Sequence, residues 1–551
     1  MYCGIDVGGT HTDAVVVDHG EVLASCKVLT DHRNLLMSVH AALEDVCSRV
    51  KMHRIERITL STTLSTNAIV EGKTEDAGII VSSGPGIDPE SFRHGKGYFV
   101  IPGSIDHRGY EIQPLETADL KDTLTMCREL GLSVYAVVGK FSTRNPSHEL
   151  QLAQALQGQA DHVTLGHRLS GLLNFPRRIA TAAYNAQVWR LYNRFADAVE
   201  TSLRELGLEA QVGILKADGG TMPLAASRAR PVESILSGPA ASVMGMLALC
   251  DIYEDAILLD IGGTTTDIAL LSQGTPVVEE GIAMGSYPTL VRALKTRSIG
   301  VGGDSMLTVR GGTVFVGPRR EGPSMAQGGH TPTLIDACNY LRITSFRDRE
   351  ASRRGIEKLA ALWDMYPEKL ARAAVDRAVS AIKEAALELV REINERPVYT
   401  IHELLKGKTL DPRRAYLMGG PAMVFRELLE QAFGFEVEAP QHYEVANAVG
   451  AALTRTTAEL ELTADTERRQ LVIPSLGRVE DIPARFTLED AKARAKESLL
   501  TMLEGQGLRA REEYGDDVEF TEVQSFNMVD FYGAAHKNIR VKCQIKPGIS
   551  E

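Results

Sequence analysis

Residues 6–13 read DVGGTHTD, and residues 260–267 read DIGGTTTD. Six of the eight positions are identical, and the two differences are Val/Ile and His/Thr. Each copy sits between short apolar runs. YCGI (2–5) precedes the first phrase and AILL (256–259) the second, while AVVV (14–17) and IALL (268–271) follow the closing aspartates. Apolar runs of this length bounded by glycine read as buried strands. The paired glycines tolerate the positive φ of a tight turn. The phrase therefore predicts a β-hairpin, with a third strand after a turn at 18–21 or 272–275. Using it twice implies two related domains facing each other.

The turn also carries chemistry. Gly8, Gly9, Gly262 and Gly263 have no side chains, so their backbone N–H groups can approach a phosphate closely. Thr10, Thr12, Thr264 and Thr266 can add hydroxyl donors, and His11 and Thr265 lie in the same turns. Asp6 and Asp260 close the incoming strands; Asp13 and Asp267 open the outgoing ones. Carboxylates so placed are the candidate catalytic groups. Asp6 and Asp260 are the candidate Mg²⁺ ligands, usually through water, with the metal offsetting phosphate charge. Two such hairpins can clamp one polyphosphate from both sides.

Further stretches follow in order. SGPAAS (237–242) leads into a small-residue helix over 242–249. IGVGGDS (299–305) places Gly302, Gly303 and Asp304 in a glycine-rich turn. YLMGGP (416–421) is a strand ending in Gly419, Gly420 and Pro421, followed by a helix over 423–433. VANAVGAAL (445–453) is a second small-residue helix. This order resembles the actin/Hsp70/sugar-kinase ATPase superfamily. The resemblance implies an α/β chain with two ribonuclease-H-like domains around an ATP cleft. It also implies phosphates on the two hairpins, adenosine beside the 419–421 turn, and small helices crossing at an interdomain hinge.

The intervening segments narrow the resemblance. STTLSTNAIVEGK (61–73), SIDHRGYEIQPL (104–115), FSTRNPSHE (141–149), RRIATAAYNA (177–186), VESILSGPAAS (232–242) and GGHTPTLIDA (328–337) resemble the hydantoinase A/oxoprolinase/acetone carboxylase β-subunit family. The segment at 321–329 departs from the family pattern by losing a cysteine, a change on the side expected to face substrate. The resemblance implies ATP-dependent phosphorylation of a carbonyl in a cyclic amide or a ketone, with Mg²⁺. Ring opening, as of hydantoin or oxoproline, or carboxylation would follow. Thr63, Asn67, His148, Glu149 and His330 are the candidate substrate contacts. For His148–Glu149 the competing reading is helix capping; for Asp304 it is a bond to its own backbone; for His330 it is a structural loop residue. A hydantoinase B-like partner subunit is expected, because only about 95 residues follow the ATPase core. A non-catalytic ATP switch and a small-molecule kinase are the alternatives.

Composition fits this picture. The 551 residues are 44% hydrophobic and 24% charged, with a formal net charge of −12. That balance argues against nucleic acid as the main partner, since phosphate backbones attract excess Lys and Arg. Seven cysteines without a CxxC pair read as reduced thiols, and no apolar run approaches the ~20 residues of a membrane span. The N-terminus opens directly on a strand-like segment, so a cytoplasmic chain is expected, as an oligomer. The domain reading is 1–250 with a family-specific insertion at about 73–165, 251–456 with a helical insert at about 340–400, and a small α+β domain at 457–551. Within the last, a polar linker is expected at 463–469, a helix at 488–504 and strands at 517–530 and 538–546.

Overall fold

The computed structural model describes residues 1–8, 11–31, 35–395, 409–529 and 535–550. The first phrase forms the hairpin. Strand Tyr2–Val7 runs antiparallel to His11–Asp18, which pairs in turn with Glu21–Leu29. On its other edge Tyr2–Val7 takes Arg57–Thr62 in parallel, followed by Gln211–Leu215 in parallel and Thr221–Pro223. Both faces of this sheet are covered at its centre, so strands Tyr2–Val7, His11–Asp18 and Arg57–Thr62 are buried nearly throughout, whereas the edge strand Glu21–Leu29 alternates. Ala14 and Val16 point to one side, onto Val39, Leu43, Tyr192 and Phe195 from helices Leu35–Ser48 and Phe175–Glu205. Val15 and Val17 point to the other, onto Ala448, Val449 and Ala452 of helix Ala446–Leu453.

The second phrase repeats the pattern. Ala256–Ile261 runs antiparallel to Thr266–Ser272 and parallel to Arg414–Met418, beyond which lies Glu436–Glu438 in parallel. The third strand differs from the expectation. Thr275–Pro276 pairs for only two residues, then the chain leaves the sheet and returns as Thr296–Ile299 against Thr266–Ser272. The excursion buries Ile282, Met284 and Val291 against Tyr184, Ala217, Val232 and Ile235 from the first half. Apolar burial there replaces a continuous ladder.

Helices Ser237–Leu249 and Ala446–Leu453 cross between the two sheets. A Cβ on Gly245 would run into the Ala446 carbonyl, and one on Gly450 into the Ala241 carbonyl. The small residues at these positions thus permit backbone-to-backbone contact. Within 78–165 lies a separate four-stranded parallel sheet whose central strands are Gly78–Ser82 and Val134–Gly139. Helices Arg349–Leu362 and Pro367–Asn394 form the helical insert; its expected end at 396–400 lies outside the described residues.

After Leu453 the chain builds a five-stranded antiparallel sheet covered by helix Leu488–Glu504. The small helix spans Ala446–Leu453, ending where the 445–453 reading put it. The expected polar linker is instead partly strand Ala458–Asp465, because Leu460, Leu462 and Ala464 alternate into this domain's core. The whole is a mixed α/β fold.

Candidate functional site: an aspartate cleft between two hairpins

The two hairpins close their turns identically. Gly8 N–H donates to the His11 carbonyl at 3.0 Å, and Gly262 N–H donates to the Thr265 carbonyl at 2.9 Å. Asp6 is thereby paired directly across from Asp13, and Asp260 across from Asp267. All four carboxylates line one cleft of about 310 Å³. Gly8, Gly262, Thr265, Thr63, Gly419 and Gly420 line it too. Gly9 and Thr10 of the first turn lie outside the described residues.

The crossing helices supply the partners of the inner aspartates. Asn447 Nδ2 donates to Asp6 Oδ2 at 3.3 Å, and Ser242 Oγ donates to Asp260 Oδ2 at 2.7 Å. From the third strand, Lys27 Nζ donates to Asp13 Oδ2 at 2.7 Å. Lys27 is the one Lys or Arg among the described residues lining the cleft. Sequence reading missed Lys27, Ser242 and Asn447.

Crowding four carboxylates disfavours their charged forms. Burial pushes Asp6 up to about 6, with Asp13 and Asp260 adding and the Asn447 hydrogen bond opposing. Burial pushes Asp267 up to about 6 as well, with Asp260 adding. Burial also raises Asp13 and Asp260. Asp6 Oδ1 and Asp13 Oδ1 are buried with no hydrogen-bond partner. Two orphaned carboxylate oxygens amid mutual repulsion fit a divalent cation. Among the described residues no group of three or more His, Cys, Asp or Glu side chains is placed to ligate one directly. Carboxylate oxygens are hard donors, the kind that hold Mg²⁺ or Ca²⁺.

The 300–305 loop packs onto the second turn. Gly303 N–H donates to Gly262 O at 3.0 Å and Asp304 N–H to Gly263 O at 2.6 Å. A Cβ on Gly302 would lie 2.7 Å from the Thr264 nitrogen. The Asp304 carboxylate is held by Arg320 at 2.9 Å. Burial, Lys27 and Arg320 together depress the His11 imidazole. Gly419 has φ +91°, and a Cβ there would strike the Ile261 carbonyl. Pro421 begins helix Ala422–Phe433, one residue earlier than expected.

Several expected contacts lie elsewhere. Thr12 and Thr266 neighbour the cleft aspartates on their strands, so they face the opposite side. Thr12 Oγ1 pairs with Thr30 Oγ1 at 3.0 Å, and Thr266 Oγ1 donates to Val301 O at 2.7 Å. Asn67 is exposed, and its side chain donates to Thr63 Oγ1 at 3.3 Å. His148 is buried between Ser82 and Glu111, at 3.2 and 2.9 Å. Glu149 is fully buried, 2.5 Å from His167 Nδ1, and accepts from Gly139 N–H. His330 is exposed. Asn67, His148, Glu149 and His330 do not line the cleft.

Among the described residues no helix is long and apolar enough to cross a membrane, and all seven cysteines are free. Over the whole chain, the fold matches the nucleotide-free structure of an acetone carboxylase with a TM-score of 0.72 at 16% identity, covering 100% of this chain and 87% of that one. The α subunit of a caprolactamase from Pseudomonas jessenii is 25% identical over 452 residues, 76% of this chain and 64% of that protein. The γ subunit of an acetophenone carboxylase from Aromatoleum aromaticum is 25% identical over 390 residues, 60% of this chain and 52% of that protein. The chain thus spans less than two thirds of the length of the caprolactamase and acetophenone carboxylase subunits. The hydantoinase/oxoprolinase N-terminal region model matches residues 2–159 and the hydantoinase/oxoprolinase model residues 178–460; the chain belongs to the hydantoinase/oxoprolinase family.

Proposed function

We propose that the chain is the ATP-using component of an enzyme that activates a carbonyl in a cyclic amide or ketone, leading to ring-opening hydrolysis or to carboxylation. The observation that carries this is the pairing of two identically built hairpins, whose four aspartates share one cleft at the crossing of two glycine-packed helices. In this reading the two sheets are ribonuclease-H-like domains that close on ATP. The turn N–H groups and Lys27 stabilise charge on the transferred γ-phosphoryl group. Asp6 and Asp260, with Asp13 and Asp267 beside them, would hold Mg²⁺ through water, and its charge would offset that of the phosphates. Asp267, raised to about 6, suits proton acceptance from an attacking hydroxyl or water near neutral pH. Gly302, Gly303, Gly419, Gly420 and Pro421 frame the nucleotide.

A lactam amide is a poor electrophile; phosphorylating its oxygen lets water add to the carbonyl carbon, the ring C–N bond then breaks as the nitrogen takes a proton and leaves, and a second water hydrolyses the resulting acyl phosphate to carboxylate and phosphate. The altered 321–329 segment sets the carbonyl compound. A separate hydantoinase B-like subunit completes the reaction in a cytoplasmic complex. The subunit status in the names of the caprolactamase and acetophenone carboxylase relatives supports a multi-subunit assembly.

The test is Mg²⁺-dependent ATP hydrolysis by the purified chain, alone and with panels of lactams, hydantoins and ketones. Stimulation by one class is expected. ATP hydrolysis that ignores every carbonyl compound, even with the copurifying partner restored, rejects the reading.

A further inference from the structure

A second cavity, of about 90 Å³, lies where several parts of the chain meet. Its walls come from the 168–171 segment, the turn after Gln211–Leu215, the 230–233 segment, the excursion at 290–292, and the C-terminal domain through strand Ala458–Asp465, Ser475 and helix Leu488–Glu504. Pockets for drug-sized ligands run to several hundred Å³, so this one admits only a short molecule.

The charges on its walls nearly cancel in pairs. Lys216 binds Asp218 at 3.2 Å, Arg230 binds Glu233 at 3.1 Å, and Arg292 binds Glu459 at 3.3 Å. Two ionisable side chains in the lining are left over. Arg168 has no hydrogen bond or ion pair among the described residues and stands exposed at one side. Glu461 accepts no hydrogen bond among the described residues. Its nearest cation, Lys542 Nζ at 4.0 Å, is already held by Glu280 at 2.8 Å and Glu459 at 3.3 Å. Burial pushes the Glu461 carboxyl up to about 7, with Glu459 and Glu280 adding and Lys542 opposing. A cation in the cavity would hold it ionised. The hydroxyl of Ser475, also in the lining, is buried without a partner. Leu290, Val291 and Met502 supply an apolar side.

We propose that this cavity binds a short zwitterionic amino acid, its carboxylate on Arg168, its ammonium on Glu461 and its methylenes against the apolar wall. A guanidinium pairs bidentately with a carboxylate, and a buried carboxylate is matched by an ammonium. Opening a lactam yields such a molecule, with one end of each charge. That identification rests on the function proposed above; the binding does not. The ligand would bridge the first half, the excursion and the C-terminal domain.

The test is calorimetric titration of the full chain near neutral pH with β-alanine, γ-aminobutyrate, δ-aminovalerate and L-glutamate. Butyrate and butylamine are the singly charged controls. At least one zwitterion binds and neither control does. Arg168→Met and Glu461→Gln each weaken that binding about tenfold or more, as expected for loss of a charge-assisted contact. Binding of no zwitterion, equal binding of the controls, or undiminished binding by either folded variant overturns the proposal. If thermal melts show that both variants are unfolded, the wild-type panel decides alone. ATP hydrolysis is measured in parallel. Lactam-stimulated hydrolysis without amino-acid binding rejects this site alone, whereas binding without any carbonyl response rejects only the catalytic reading.

Discussion

Lys27 Nζ sits 2.7 Å from Asp13 Oδ2, on the neighbouring strand of the first hairpin, with its side chain partly open to the cleft. A cation so placed is held by one carboxylate while its remaining N–H bonds are free for an anion. It balances one of four crowded aspartates; under the proposed function it would also turn to the phosphoryl group once nucleotide is bound.

Replacing it removes both roles. Lys27→Met keeps the aliphatic stem and loses the charge. Removing one preorganised donor to a transition-state oxyanion costs about 10²–10³ in kcat, and a loss of that size is expected in steady-state ATP hydrolysis. The melting temperature should change little, because an ion pair with a half-exposed lysine contributes at most about 1 kcal/mol. A folded variant with wild-type kcat would remove Lys27 from the chemistry.

Why Lys27 escaped sequence reading is instructive. Counting back from the turn, where Asp18 faces Glu21, an unbroken ladder would set Cys26 opposite Asp13. The structure has a register shift between Val16 and Val17, and that one residue brings Lys27 into place. A bulge leaves no mark in composition or periodicity. Asn447 and Ser242 were hidden for a different reason: they reach the cleft from helices distant in sequence. The hairpins, the glycine-packed helices and the four aspartates were legible because each is a local pattern repeated or bounded by glycine. Thr12 and Thr266 were misplaced because the strand alternation that brings Asp13 and Asp267 inward turns their neighbours away. His148 and Glu149 looked functional as a pair of titratable residues, yet their burial belongs to the packing of helix Ser147–Leu156 on strand Val134–Gly139.

The aspartate cluster makes stability depend on pH and on metal. Asp6 and Asp267 sit at about 6 in the folded chain against an ordinary 3.8. The native state therefore binds more protons than the unfolded state between these values. The stability from these groups is fully present below about pH 4 and is lost as pH rises through about 6. A divalent cation relieves the repulsion only once the carboxylates are ionised. Mg²⁺ should thus raise the melting temperature near pH 7.5 and do so far less near pH 5, read by calorimetric scans with and without the ion. An equal shift at both values would place the ion elsewhere.

Glu149 should matter to stability and not to turnover. Burial alone would raise its carboxyl, but the charge and hydrogen bond of His167, with the charge of Arg178, outweigh this and hold it below the usual range. Glu149→Gln leaves His167 and Arg178 buried without their counter-charge. Breaking a buried pair by removing one partner costs about 3 kcal/mol or more, so a large drop in the urea midpoint is expected. The folded fraction should keep its kcat for ATP. A stable variant with depressed kcat would return Glu149 to the reacting centre.

The helix crossing gives the last prediction. Gly450 lies against the Ala241 carbonyl and the backbone of Gly245, so a methyl group there meets main chain rather than a movable side chain. Gly450→Ala would ordinarily help a helix by up to about 1 kcal/mol. Here the helices must separate instead, at a cost of about 2 kcal/mol from overpacking. The net expectation is destabilisation of about 1 kcal/mol or more in urea unfolding. Separation would also displace Asn447 and Ser242, which ride on these helices and bind Asp6 and Asp260. ATP affinity should therefore fall along with stability. Stabilisation by Gly450→Ala would show that the crossing opens freely and that the glycines answer to something other than contact.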